Sequence, residues 1–273
     1  MLRTVQATRY VTPLREGGSL PGIVEADDDG LYVLKFRGAG QGPLALVAEL
    51  LAGEIGRRLG LPVPEIVLLE LDAALGAAEP DQEVRDLIDK SGGTNLGMDF
   101  LPGSLAFRPG VGPAPNGELA AAVVWFDALV TNPDRTMRNP NILVWHGRQW
   151  LIDHGAALYI HHTWRDVDRH ARQPFERSRD HILLPYADSI ADADERLAPE
   201  LTPEVLESIV ELVPEAWLAD DALSRRAIHT PEQQRRAYVE YLTRRLESPH
   251  AFAAEAERAR VEARRPASGG AHG

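Results

Sequence analysis

The chain has 273 residues, with 29 Lys+Arg against 41 Asp+Glu for a net charge of −12. That length suits one large domain or two small ones, and the acidic balance without a basic block argues against direct nucleic-acid binding. There is no cysteine, hence no disulfide framework or thiolate metal site; no secretory signal opens the chain, and its longest apolar stretch, residues 119–126, is too short to cross a bilayer, so a cytoplasmic protein without a membrane partner is expected.

Residues 1–16 are strand-like. Gly17, Gly18 and Ser19, then Pro21 and Gly22, supply turn chemistry, and a strand is expected over residues 23–26. Glycines in such a turn are able to cradle phosphates with backbone N–H groups. An acidic turn, residues 27–30, leads into the apolar run 31–36, which contains Lys35. The chain has two lysines, Lys35 and Lys90, among 27 arginines. A chain that writes its cations as Arg and still keeps a Lys has use for a compact ammonium there. Lys90 sits in a polar stretch beside Ser91 and Gly92 and reads as exposed. Lys35 either blunts a strand edge or points into a site with an anionic partner.

Residues 43–59 form the clearest helix, opened by Pro43 and stopped by Gly60. Glu54 has Arg58 four residues on, an exposed pair. Glu49 has Ala52, Gly53 and Gly56 on its face, so that face lies close against another element, and Glu49 is the better partner for Lys35. Residues 64–71 read as a strand. Residues 73–95 are loop or a short helix over 81–88, and 97–101 a short strand stopped by Pro102 and Gly103. The Pro/Gly-rich residues 104–116 read as a linker between an N-terminal unit, 1–103, and a mostly helical unit, 117–265.

Residues 118–131 read as an apolar helix in which Asp127 is either a buried group fixing the next loop or an exposed one. Then comes NPDRTMRNPNILVWHGRQWLIDHG, residues 132–155. Two short apolar runs, 142–145 and 149–152, flank a turn at His146, Gly147 and Arg148 and predict a β-hairpin. An antiparallel ladder puts Asp153 opposite Pro140 and Asn141, with Asp134 just upstream. Carboxylates and amides at one hairpin mouth suit a hard cation such as magnesium, although Asn, Pro and Asp are also ordinary turn residues. His161, His162, Asp166, Asp168 and His170 lack the helical HExxH spacing and read as a charged surface segment rather than zinc ligands. Helices follow at Thr202–Pro203, at Pro214, at Thr230–Pro231 and over 251–265, and residues 266–273 read as a disordered tail.

A glycine turn, a lysine strand, a helix with Glu49, a strand before a linker, a helix and a hairpin closed by Asp-x-Gly succeed one another as in a protein kinase. Neither HRD nor DFG is present; Pro133-Asp134-Arg135 and Asp153-His154-Gly155 stand instead. The Asp-Arg loop followed by Ile-Asp-x-Gly resembles the HipA-like and phosphatidylinositol-kinase-like branch of that superfamily. The run LKFRGAGQG…VAELLAGEIGRRLGLPVPE is similar to the HipA-like kinases in particular. The resemblance covers residues 14–159, the remainder only as a helical lobe. It implies an α+β, two-lobed protein-kinase-like fold and an ATP- and magnesium-dependent phosphotransferase acting on a protein Ser/Thr hydroxyl. A nucleotide-binding pseudokinase and a small-molecule or lipid kinase are the alternatives.

By the same resemblance, Gly17, Gly18 and Ser19 would cover the phosphates, and Lys35 would pair with the phosphates of ATP and with Glu49. Met98, Asp99, Phe100 and Leu101 would form the adenine hinge, with Leu143 under the base. Asp134 would take the acceptor's proton, and Asp153 with Asn139 or Asn141 would hold magnesium. Superfamily spacing favours Asn139. Strand register favours Asn141, which directly precedes the apolar run and would leave the loop two residues longer. The chain starts close to the glycine turn, with little room for the extra N-terminal subdomain of the family's namesake, which weighs against an antitoxin partner.

Overall fold

The computed structural model describes residues 2–14, 20–40, 42–112, 114–219 and 230–264. Five strands, β1 (Thr4–Pro13), β2 (Gly22–Ala26), β3 (Leu31–Lys35), β4 (Ile66–Leu71) and β5 (Gly93–Asp99), close into a barrel in the order β1-β2-β3-β5-β4. All pairs are antiparallel except β1 with β4. Period two explains what each face does. Tyr32 and Leu34 point into the barrel with Val5, Val24 and Leu69, while Val33 and Lys35 alternate outward. Gly97 opposes Leu34 and Val67, and a Cβ there would come within 2.8 Å of Val67 Cγ2, so only glycine lets the strands close at that point.

Helix α1 (Pro43–Arg58) crosses outside the barrel and is buried on nearly every side. Its small residues explain the fit. A Cβ on Gly53 would strike Ile66 Cδ1 at 2.3 Å, and one on Gly56 would meet Val63 at 3.1 Å. Glu49 is therefore enclosed, at 1% exposure. Glu54 pairs with Arg57 rather than Arg58, and Arg58 instead reaches Glu200. Residues 73–95 hold a 3-10 turn, Ala73–Ala78, and helix α2 (Gln82–Lys90), capped by Asp81. Lys90 closes α2 and is exposed. Strand β5 begins four residues earlier than its apolar run: polar Thr94 and Asn95 hide it, because Asn95 is buried with its amide bonded to Ser91 and Gly93 carbonyls.

The 104–116 segment is not wholly linker. Strand β6 (Leu105–Ala106) pairs with β7 (Ile142–Trp145), which pairs in turn with β8 (Arg148–Leu151). The β7–β8 turn has two residues, His146 and Gly147, both at positive φ as a primed turn requires, so Arg148 belongs to the strand. Helix α3 (Gly117–Leu129), capped by Asn116, is apolar all round and runs through the centre of the C-terminal half. Around it stand α4 (Val167–Ala171), α5 (Ile190–Leu197), α6 (Pro203–Val210), α7 (Glu215–Leu218), α8 (Pro231–Arg245) and α9 (Ala251–Ala263). Pro214 is the cap of α7, one residue before it. One core joins α1, Leu96, Met98, α3, the β7–β8 hairpin and these helices. Helices α6 and α7 pack on α1, and Trp217 donates from Nε1 to the Thr94 carbonyl at 2.9 Å. No helix among the described residues is long and apolar enough to cross a membrane.

Candidate active site

Lys35 leaves β3 on its outward face and meets two acids from distant segments. Its Nζ lies 2.6 Å from Asp153 Oδ1 and 3.8 Å from Glu49 Oε2. Burial works against the charges of both Lys35 and Glu49, but their mutual attraction prevails. Asp153 helps hold the lysine above its ordinary value, and Lys35 with His154 holds Glu49 well below the carboxylate range. His154, fully buried, packs edge-on against Phe126 and sets Nδ1 3.4 Å from Glu49 Oε1. So the residue inside Asp-x-Gly joins the hairpin to α1. Gly155 sits against the same helix, where a Cβ would lie 3.4 Å from the Ala45 carbonyl.

Asp134 follows α3 on a loop that folds back on itself. Asn132 Oδ1 accepts from its backbone N–H at 3.1 Å, and Asn139 Nδ2 donates to its Oδ2 at 2.9 Å. Asn141 Nδ2 donates to the Asp134 carbonyl at 3.0 Å and lies 3.5 Å from both Asp134 Oδ2 and the Asp153 carbonyl. The two asparagines are thus told apart by environment. Asn139 is exposed and holds the Asp134 carboxylate, whereas Asn141 is 8% exposed and sits between Asp134 and Asp153. The Ile152 N–H donates to the Asn141 carbonyl at 3.1 Å, which places Asp153 opposite Pro140, as the register requires. Asn141 and Asp153 both have positive φ, 49° and 57°, a conformation short polar side chains tolerate and which functional loops retain. Burial and the nearby Asp153 charge push Asp134 above the usual aspartate value.

Beneath the loop lies a buried polar network. Asp127, on α3, accepts from Arg135 Nε at 2.6 Å, from Asn132 Nδ2 at 2.9 Å and from His181 Nε2 at 2.9 Å. His181 Nδ1 accepts from the Leu183 N–H at 3.0 Å, so the ring is the neutral Nε2–H tautomer, and burial keeps its pKa low. Asp127 is held well below its usual range: Arg135 and His181 outweigh burial. Arg135, 1% exposed, also donates to the carbonyls of Asn141 and Ile152. One guanidinium therefore ties the Asp134 loop, Asn141 and the residue before Asp153 together. Sequence reasoning left Asp127 open, used Arg135 only as part of the Asp-Arg motif without giving it a role, and did not single out His181, which nothing local marks.

Lys35, Asp134, Asn139, Asn141 and Asp153 line one cleft of about 1110 Å3, and Met98, Asp99, Phe100, Leu101 and Leu143 also line it. The N–H groups of Asp99 and Phe100 already donate to the Glu65 and Leu31 carbonyls. Val33, Pro64 and Ile152, which the sequence reading did not single out, complete apolar walls, as does Arg138 on the polar side. Val33 was legible as the period-two partner of Lys35. Gly17, Gly18 and Ser19 lie outside the described residues, as does the 266–273 tail. His161 does not belong to a surface segment: it is buried and its Nδ1 lies 3.0 Å from the Tyr238 hydroxyl. No group of three or more His, Cys, Asp or Glu able to hold a metal occurs among the described residues. Asp134 and Asp153, with the amides of Asn139 and Asn141, are a donor set that fits a hard divalent cation taking its remaining ligands from water and phosphate.

A β-rich half bearing Lys35 and Glu49, set over a helical half bearing Asp134 and Asp153, makes this a two-lobed, protein-kinase-like phosphotransferase. The model of the HipA-like kinase family matches residues 8–254, and the chain belongs to that family. No curated protein matches. Among solved structures, the chain is similar to the Helicobacter pylori proinflammatory kinase CtkA, at 14% identity and a TM-score of 0.51, covering 94% of this chain and 98% of that one. It is also similar to the Golgi casein kinase with Mn/ADP bound, at 15% identity and a TM-score of 0.43 over 92% of this chain and 77% of that one.

Proposed function

We propose that the chain transfers the terminal phosphoryl group of ATP, with magnesium, to a Ser/Thr hydroxyl of a protein. The observation that carries this reading is the meeting of Lys35, Asp134, Asn141 and Asp153 in one cleft with apolar walls, with Glu49 buried behind Lys35. Adenine fits between Val33, Met98 and Leu143, with the hinge at Met98–Leu101. Lys35 holds the donor phosphates while Glu49 and His154 fix its direction. Asp134 accepts the hydroxyl proton, with Asn139 orienting its carboxylate. Asp153 and Asn141 would hold magnesium, and the bound ion would neutralise charge on the phosphates. The family supports the kinase reading, and the protein acceptor is the choice that the resemblance to HipA-like kinases implies. The lobe boundary falls in residues 104–116, with Leu105 and Ala106 attached to the C-terminal hairpin.

The test is transfer of labelled phosphate from ATP to the chain itself and to casein. Asp134→Asn loses about 100-fold or more of the rate, the scale of a positioned general base, while nucleotide affinity stays within twofold. An Asp134→Asn variant with full activity refutes the assignment.

A further inference from the structure

Arg138 lines the cleft beside Asp134 and Asn139, yet the roles above leave it unused. It is exposed, and no hydrogen bond or ion pair joins it to another described residue. Its surroundings make that unusual. Glu79, Asp81, Asp99, Asp134 and Asp153 line the same cleft, and Lys35, the other described cation there, is held by Asp153 and Glu49. Arg135, three residues earlier, is buried on Asp127.

The backbone explains why Arg138 stays apart. The Thr136 N–H donates to the Asn139 carbonyl at 2.9 Å, and the Asn139 N–H to Thr136 Oγ1 at 3.3 Å. Residues 136–139 thus close a tight turn with Met137 and Arg138 at its tip. The same turn carries Asn139, whose amide grips the Asp134 carboxylate, and runs into Pro140 and Asn141. The tip is fixed relative to the proton acceptor, while its arginine side chain is exposed. The two residues by which this loop exceeds the usual spacing make room for such a turn.

We infer that Arg138 is a binding residue for the terminal phosphoryl group of the donor. This rests on the kinase reading above. In the transfer, a bond forms from the acceptor oxygen to the γ-phosphorus and the bond from that phosphorus to the β-bridging oxygen breaks. The hydroxyl proton goes to Asp134, and the nucleoside diphosphate leaves with the bridging electrons. The oxygens on the moving phosphorus stay anionic throughout. A cleft lined with carboxylates repels them, and Lys35 is shared with two acids. A guanidinium fork with no carboxylate partner among the described residues matches phosphoryl oxygens in charge and geometry. Because a diphosphate lacks the group Arg138 holds, the residue discriminates between donor before transfer and product after it.

The experiment compares wild type, Arg138→Gln and Arg138→Lys as the full chain with magnesium. Affinities are measured for ADP and for a non-transferable imido analogue of ATP, together with the transfer rate. The expected result for Arg138→Gln is ADP affinity within twofold of wild type, analogue affinity weaker by about tenfold, and a rate lower by about 100-fold. Arg138→Lys recovers part of both losses. Arg138 is exposed and has no partner among the described residues, so the thermal melt of either variant should match wild type. Equal weakening of ADP and analogue overturns the inference, as does no change in either. A raised KM for the acceptor with both nucleotide affinities unchanged also overturns it, and moves Arg138 to an anionic group of the acceptor. If wild type binds neither nucleotide, the kinase reading itself fails, and the inference with it.

Discussion

Replacing Arg135 with Met puts the buried network to its hardest test. Arg135 and Asp127 have side chains 0% and 1% exposed, joined at 2.6 Å. Removing the guanidinium strands a carboxylate away from water, and breaking a buried pair this way costs about 3–5 kcal/mol. Asp127 keeps its bonds from Asn132 and His181, each 2.9 Å, which places the loss near the lower end, about 3 kcal/mol. That is a large share of the roughly 5–15 kcal/mol by which a domain is stable. Adding Asp127→Asn removes the stranded charge and leaves one amide oxygen, which accepts from only one of Asn132 and His181, since these meet different oxygens of Asp127. The double variant should regain about 2 kcal/mol over the single one, a coupling typical of residues in direct contact. Urea unfolding with linear extrapolation measures both. Activity parts company with stability here, because neither variant restores the donors to the Asn141 and Ile152 carbonyls. The refolded double variant should therefore transfer phosphate at least tenfold more slowly than wild type. A loss under about 1 kcal/mol in Arg135→Met, or a double variant no more stable than the single one, refutes the reasoning.

Two further expectations concern the same scaffold. His181 is neutral in the folded chain with its pKa depressed by burial, so it refuses a proton that the unfolded chain takes up below about pH 6.5. Its stability contribution is whole above that pH and is lost as pH falls toward the folded value, at up to about 1.4 kcal/mol per pH unit. His181→Asn should flatten the stability–pH curve in that window, and an unchanged slope counts against the buried neutral tautomer. Arg245 is 2% exposed and donates to the Ala128 and Leu129 carbonyls at 2.7 Å and to Ala171 at 3.2 Å, with its guanidinium 5.0 Å over the Phe252 ring. Arg245→Met leaves the end of α3 unsatisfied and should cost about 2–4 kcal/mol. A calorimetric Tm within about 1 °C of wild type contradicts that role, since each kcal/mol is worth roughly 2–4 °C at this size.

Much of the scaffold was legible because its signals are local. Pro43 and Gly60 bracket α1, Thr202 and Thr230 cap their helices, and His146-Gly147 makes the hairpin turn whose register puts Asp153 across from Pro140. Where polar residues do the burying, local signals mislead. Asn95 hides the start of β5, and His161 looks like surface because its partner Tyr238 lies 77 residues away.

The sequence alone determined that Lys35 lies within an apolar strand, that Glu49 lies on a helix face of small residues and that Asp134 and Asp153 flank one hairpin. Periodicity and turn chemistry are properties of neighbouring residues, and they are enough to orient each side chain on its own element. Only the tertiary structure decided which of these meet. It set Lys35 closer to Asp153 than to Glu49, gave Asn139 to the Asp134 carboxylate and Asn141 to the gap beside Asp153, and brought Asp127, Arg135 and His181 together under the loop. These distances come from packing between segments up to 118 residues apart. No periodicity encodes how one element is placed against another: that follows from the shared core in which α1, α3 and the hairpin bury their apolar faces.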